Sequence, residues 1–272
     1  VRRAFTLTGL LVFTICLAPP LQASSVAGPG HANAATIAPP LSTTASTGAQ
    51  ELNTATIAPS LSPDRLNAKG ALRLTVNFGE GPSEEIPLPV RRAVLRFPLG
   101  LGIEIPHLRS CSIARLRARG PSGCSSQSEL GRGSALAEAL AGSQLITEKI
   151  SLWLFLGPFH NLEPTFEILG QGTTPFDERV VLTGTVVPDH PPYGEDLVLS
   201  VPPIPTVPLE PDASMASMSL TVGTTKSPHP NQANTVVVPP SCPTGGFPFA
   251  AEITYADGSS GSALANATCP GR

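Results

Sequence analysis

The sequence predicts an all-β protein, an immunoglobulin-like or jelly-roll-like sandwich carrying one short helical loop clipped by a disulfide. Three observations lead there. Several runs alternate apolar and polar residues with period two, the pattern of half-buried strands. The 31 prolines and 25 glycines cut these runs short, as turn-rich β proteins require. Helical periodicity is confined to one stretch, SIARLRAR (112–119).

Residues 1–23 read as two arginines, an apolar run from Ala4 to Ala18, then prolines and small residues. These are the three parts of a secretory signal peptide, with cleavage expected after Ala23 or Ala27. The run is shorter than the roughly twenty residues a spanning helix needs. Cys16 lies inside it without the small neighbour that a lipoprotein signal places beside its cysteine. Residues 24–69 are expected to be a disordered linker in which ATIAPPLS (35–42) recurs as ATIAPSLS (55–62). Two copies of so small a segment bury too little apolar surface to order themselves, and a solenoid needs at least three repeats.

The folded domain is expected over residues 70–270, as one sandwich or as two subdomains split near 188–192. GALRLTVNF (70–78) sets Leu72, Leu74, Val76 and Phe78 against Arg73, Thr75 and Asn77. DLVLSV (196–201), MSLTV (218–222) and FPFAAEITYA (247–256) alternate likewise. KISLWLFLG (149–157) differs: Leu152, Leu154 and Leu156 line one face and Trp153 and Phe155 the other. That predicts a central strand covered on both sides, with Trp153, like Tyr255, in a core. VPPIPTVPLEP (201–211) is an extended connection, because proline has no donor for a ladder. ADGSSG (256–261) predicts a hairpin turn with Asp257 and Gly258 at positive φ.

Removing the signal leaves Cys111, Cys124, Cys242 and Cys269. Exported thiols meet an oxidising space and pair, and the closely spaced cysteines of a zinc site are absent. Three connectivities are possible; the two local ones, Cys111–Cys124 and Cys242–Cys269, are expected. The first closes around the helical pattern, which Gly120 ends. The second flanks the last hairpin, where Cys269 would face about residue 248, so the chain at Pro243, Gly245 and Gly246 must curl back.

FPLGLG (97–102), then Cys111, Leu116, Gly120, Cys124, Ser128, Gly131, Gly133 and Ala135, resemble a pattern of uncharacterised secreted proteins of high-GC Gram-positive bacteria. There a segment like LPxGL precedes a cysteine, a short helix and CPxxSxxGxGxA. Ser125 stands where that pattern has proline. YGEDLVLSVPPIP (193–205) is similar to the group's later strand. The resemblance spans about residues 70–270 and implies a β-rich secreted domain with no activity to carry over.

The formal charge of −3 is too mild to indicate nucleic acid, although seven arginines lie between Arg91 and Arg119. The longest apolar run past the signal, residues 150–159, is too short to cross a bilayer, so no stable membrane insertion is expected once the signal is gone. No nucleophile elbow, zinc-protease, phosphate-loop, dinucleotide or calcium-loop pattern occurs; no catalytic residue, metal or cofactor is assigned. The densest polar cluster is VVPDHPPYGEDL (186–197), in which Asp189, His190, Tyr193, Glu195 and Asp196 form a candidate ligand or cation loop. Glu163, Glu167, Asp177 and Glu178 are the candidates for the acid pair of a secreted glycoside or ester hydrolase. The first expectation is a non-catalytic secreted protein that contacts an envelope polymer or another envelope protein; the hydrolase is the alternative.

Overall fold

The computed structural model describes residues 55–79, 86–105, 108–173, 178–204, 206, 212–223 and 234–269. The signal-peptide reading of 1–23 and the first ATIAP copy lie outside them. The strands are β1 (Ala55–Ser62), β2 (Lys69–Phe78), β3 (Val90–Pro98), β4 (Gly102–Ile103), β5 (Glu129–Ala141), β6 (Gln144–Leu156) and β7 (Thr165–Gln171). Then follow β8 (Arg179–Pro188), β9 (Tyr193–Ser200), β10 (Ser214–Val222), β11 (Val236–Val237), β12 (Phe247–Tyr255) and β13 (Ser260–Ala267). One helix, α1 (Ile113–Arg119), precedes β5.

The all-β class and the clipped helix are as the sequence predicts. The two layers expected of a sandwich are opposite walls of one curled sheet. Its order is β1-β2-β10-β5-β6-β7-β8-β9-β3-β12-β13, every neighbour antiparallel. Ten antiparallel steps leave β1 and β13 pointing the same way, and these two end strands lie side by side. The sheet thus curls into a barrel-like shape in which the two end strands shield each other's edges, although no ladder joins them.

Closure corrects the linker expectation. ATIAPSLS is not disordered: all eight residues of β1 pair with β2, from Ala55 opposite Phe78 to Ser62 opposite Ala71. A segment that cannot order itself can still fill the gap between two existing edges, where Ala55 and Ile57 become buried. The proposed split near 188–192 is also absent. The described residues belong to one compact unit, and 189–192 form the turn joining β8 to its neighbour β9.

Curling needs close strand approach at some point, and β5 supplies it. A β-carbon on Gly131 would sit 2.2 Å from the Thr221 carbonyl oxygen, and one on Gly133 2.1 Å from that of Ser219. Only glycine lets β5 bend this tightly onto β10. The inward faces carry the main core, including Leu74, Val76, Leu154, Ile168, Met218 and Phe249. Arg73, Thr75 and Asn77 of β2 and Ser217, Ser219 and Thr221 of β10 alternate outward. On these two strands the apolar side faces inward and the polar side outward.

A second, smaller core lies outside the wall. Leu116 of α1 packs with Cys111, Phe155, Leu169 and Val181, and Trp153 borders them. Since Leu152, Leu154 and Leu156 face the main core, β6 is covered on both sides, as predicted. The Cys111–Cys124 bridge, with Cα atoms 5.6 Å apart, holds this patch in place; closing so short a loop contributes about 3 kcal/mol in the chain-entropy account. The Cys111 N–H donates to the Leu156 carbonyl at 2.8 Å, tying the loop to the wall.

Cys242 and Cys269 form the other bridge, Cα to Cα 6.0 Å. The last hairpin pairs Thr254 with Ser260 and Phe247 with Ala267, a register three residues off the expected one. Extended outward, it sets Cys269 opposite Gly245. The expected curl is present: Gly245 and Gly246 take φ of 91° and 99°, and the Gly246 N–H donates to the Pro243 carbonyl. In the turn itself only Gly258 has positive φ. Asp257 instead accepts hydrogen bonds from the backbone N–H and hydroxyl of Ser259, at 2.8 and 2.7 Å, which holds its carboxyl below the usual range.

Candidate functional site

Strand directions sort the connections between the two ends of the barrel. One end receives the short hairpin turns after β5 and β12. The other receives the β1–β2 turn, the long excursion 99–128, the β6–β7 and β8–β9 loops, the connection 223–246 and both disulfides. At this second end β11 pairs with Gly70 and Lys69 at the foot of β2 and with β4 on its other side. The Glu104 N–H donates to the Thr235 carbonyl beside this strap at 2.8 Å.

Beneath the strap the barrel is not filled. A cavity of about 380 Å³ lies between opposite walls, lined by Leu74, Leu95, Leu154, Ile168, Leu199 and Leu220 among others. Its size is within the range of about 300–1,000 Å³ typical of small-molecule sites. The mouth is bounded by Leu101, Ile103 and Ile105 from the strap segment, Leu162, Glu163 and Pro164 from the β6–β7 loop, and Val186, Pro188 and Glu195 from the β8–β9 hairpin. Glu163 and Glu195 are the charged side chains among the described lining residues, and both stand at the rim.

The β6–β7 loop presents Leu162 to solvent by an unusual backbone. His160 and Glu163 exchange two hydrogen bonds of 2.9 Å, which leaves Asn161 and Leu162 as a two-residue turn with φ of 51° and 70°. Asparagine tolerates that region, but leucine does not. Leu162 is nonetheless 94% exposed. Leu99 and Phe159 are exposed in loops at the same end.

The structure divides the predicted ligand loop between the two faces of the sheet. Glu195 looks toward the cavity. Asp196, its neighbour on β9, turns outward, where Asp189 and Arg96 meet it; Arg96 reaches Asp196 at 3.9 Å and Glu252 at 2.8 Å and lies 5.9 Å from the Tyr193 ring centre. The two aspartates share one site: the His190 backbone N–H holds Asp189 below the usual carboxylate range, while burial and the neighbouring Asp189 push Asp196 up. The His190 side chain is 99% exposed. Strand alternation parts Glu195 from Asp196, while Asp189, Tyr193 and Asp196 gather with Arg96 on the outer face. Among the described residues no group of three or more His, Cys, Asp or Glu is placed to hold a metal.

The candidate acid pair is dispersed too. Glu163 is at the cavity mouth, Glu178 is exposed beyond the opposite end, and Asp177 lies outside the described residues. Glu167 faces outward on β7 and is 1% exposed. It accepts a 2.9 Å hydrogen bond from the Thr183 hydroxyl, and burial pushes its carboxyl up. His160 is used in the loop turn; His31, His107 and His229 are outside the described residues.

Sequence reasoning missed the cavity because its lining reads as ordinary strand interior. One signal was present: LGLGIEI (99–105) keeps Leu99, Leu101, Ile103 and Ile105 at period two within a connection, which marks a segment laid over apolar surface. Among the described residues no helix is long and apolar enough to cross a membrane. Comparison with protein-family models, curated proteins and solved structures finds no match to this chain.

Proposed function

We propose that this is an exported, non-catalytic binding protein that holds an apolar small molecule inside its barrel. The observation that carries the reading is the unfilled, leucine-lined cavity open at the end where the long loops gather. Empty apolar space has a cost, since lining atoms lose packing partners, and cores ordinarily close such gaps. A ligand with a hydrocarbon body would supply the missing contacts. Two disulfides support export into an oxidising space. Binding within the cell envelope, expected from the sequence, is retained, with the ligand now an apolar molecule instead of a polymer. The described candidates Glu163, Glu167 and Glu178 stand apart from one another, which favours a binding role over the hydrolase alternative.

The test is titration of the whole chain with the fluorescent apolar probe phenylnaphthylamine. Saturable one-to-one binding, competed by dodecanol, is expected. Met218→Trp, which fills the cavity from β10, is expected to weaken it at least about tenfold, about 1.4 kcal/mol; the smaller Leu74→Phe gives a second variant should the first fail to fold. Binding that does not saturate, or that a folded cavity-filling variant leaves unchanged, overturns the reading.

A further inference from the structure

Resting on the apolar-cavity reading, we propose that the ligand is a single-chain amphiphile whose polar head donates hydrogen bonds and carries no negative charge, an amine before an alcohol, and that fatty-acid anions are excluded. The apolar lining determines the tail. The rim determines the head, because a chain lying in the cavity leaves its polar end among the mouth residues.

At that rim the described charged groups lining the cavity are Glu163 and Glu195, and no lysine, arginine or histidine is among the described lining residues, His160 meeting Glu163 through the backbone. Neither carboxylate has a side-chain hydrogen bond or ion pair among the described residues, so both retain their accepting capacity. Glu195 leaves the β8–β9 hairpin on the cavity side of β9, next to Leu197, which lines the wall. Across the mouth, the paired backbone of His160 and Glu163 fixes the loop from which Glu163 projects. An ammonium head would gain two acceptors and lose little, whereas a carboxylate head would meet two like charges with no cation to offset them. The basic residues of this end do not compensate. Lys69 at the strap is paired with Glu104, and Arg115, Arg117 and Arg119 are exposed on α1, which packs against the outside of the wall.

The experiment compares dodecylamine, dodecanol and dodecanoate at pH 7 as competitors of phenylnaphthylamine on the full chain. The expected order is amine, alcohol, carboxylate, with at least about tenfold between first and last. Glu163→Gln/Glu195→Gln should compress that ratio to within about threefold by improving dodecanoate and weakening dodecylamine. The charge-matched control Glu138→Gln/Glu178→Gln, at the opposite end of the barrel, should leave the order as it is and so separates local contact from the protein's overall negative charge. Equal competition by all three, a preference for dodecanoate, or compression by the control pair as well overturns the proposal while leaving the cavity reading intact. Failure of all three to compete where the probe also fails to bind removes the cavity reading itself.

Discussion

Glu167 is a carboxylate that the fold holds at a disadvantage. It sits on β7 in register with Phe155, 1% exposed, with the Thr183 hydroxyl donating to one oxygen. Burial raises its titration point, and that hydrogen bond and the more distant Arg117 offset the rise only in part. A carboxyl raised on folding adds stability while it is protonated, and loses it as pH climbs through the folded value. At pH 7 the ionised group is therefore a cost. Glu167→Gln keeps an acceptor for Thr183 and removes the charge. It should raise the thermal midpoint at pH 7 by roughly 2–4 °C, the shift that about 1 kcal/mol produces in a domain of this size. Near pH 4, where the native carboxyl is already protonated, the gain should vanish. Melting curves of both proteins at the two pH values check this; an equal gain at both would place the effect in packing instead of charge.

The glycines of β5 show how an element's shape is set by what is missing from its side chains. Gly131 and Gly133 leave room for the Thr221 and Ser219 carbonyl oxygens, and the neighbouring ladders on both sides fix those oxygens in place. Gly133→Ala should cost about 1–3 kcal/mol, the usual penalty for overpacking, read from denaturant unfolding. Gly102→Ala, where an added β-carbon meets nothing within 4 Å, is the control and should be neutral within about 0.5 kcal/mol. The strands were legible from period two because each buries one face, and β6 from its two apolar faces. The glycine spacing was legible only as a pattern, since its cause lies in β10, far along the chain. The arrangement of the ligand loop was not legible for a related reason. Residues adjacent in sequence on a strand point to opposite faces, so the cluster 189–196 looks denser in text than it is in space.

At the scale of the molecule, the barrel depends on a strand that the composition disguised. β1 is made of Ala, Thr, Pro, Ser and few large apolar residues, too little to signal burial, and its partners are set by long-range closure that local patterning does not report. Its position between β2, to which it is fully paired, and β13, against which it lies, makes it the closing stave. A chain beginning at residue 70, where the sequence places the domain boundary, would leave β2 with an open edge, strip the cover from the edge of β13 and uncover core around Leu72, Leu74 and Ala263. Open edges template pairing with other chains. The fragment 70–272 should therefore form soluble aggregates or dimers by light scattering, bind anilinonaphthalene sulfonate and lose a cooperative unfolding transition, while 55–272 keeps all three properties of the full chain. A synthetic peptide of residues 55–62 added to the shorter fragment should restore the monomer in part, because the vacated slot is specific to that sequence. A monomeric 70–272 with an unchanged unfolding midpoint would show that the wall is complete without β1, and would return ATIAPSLS to the linker.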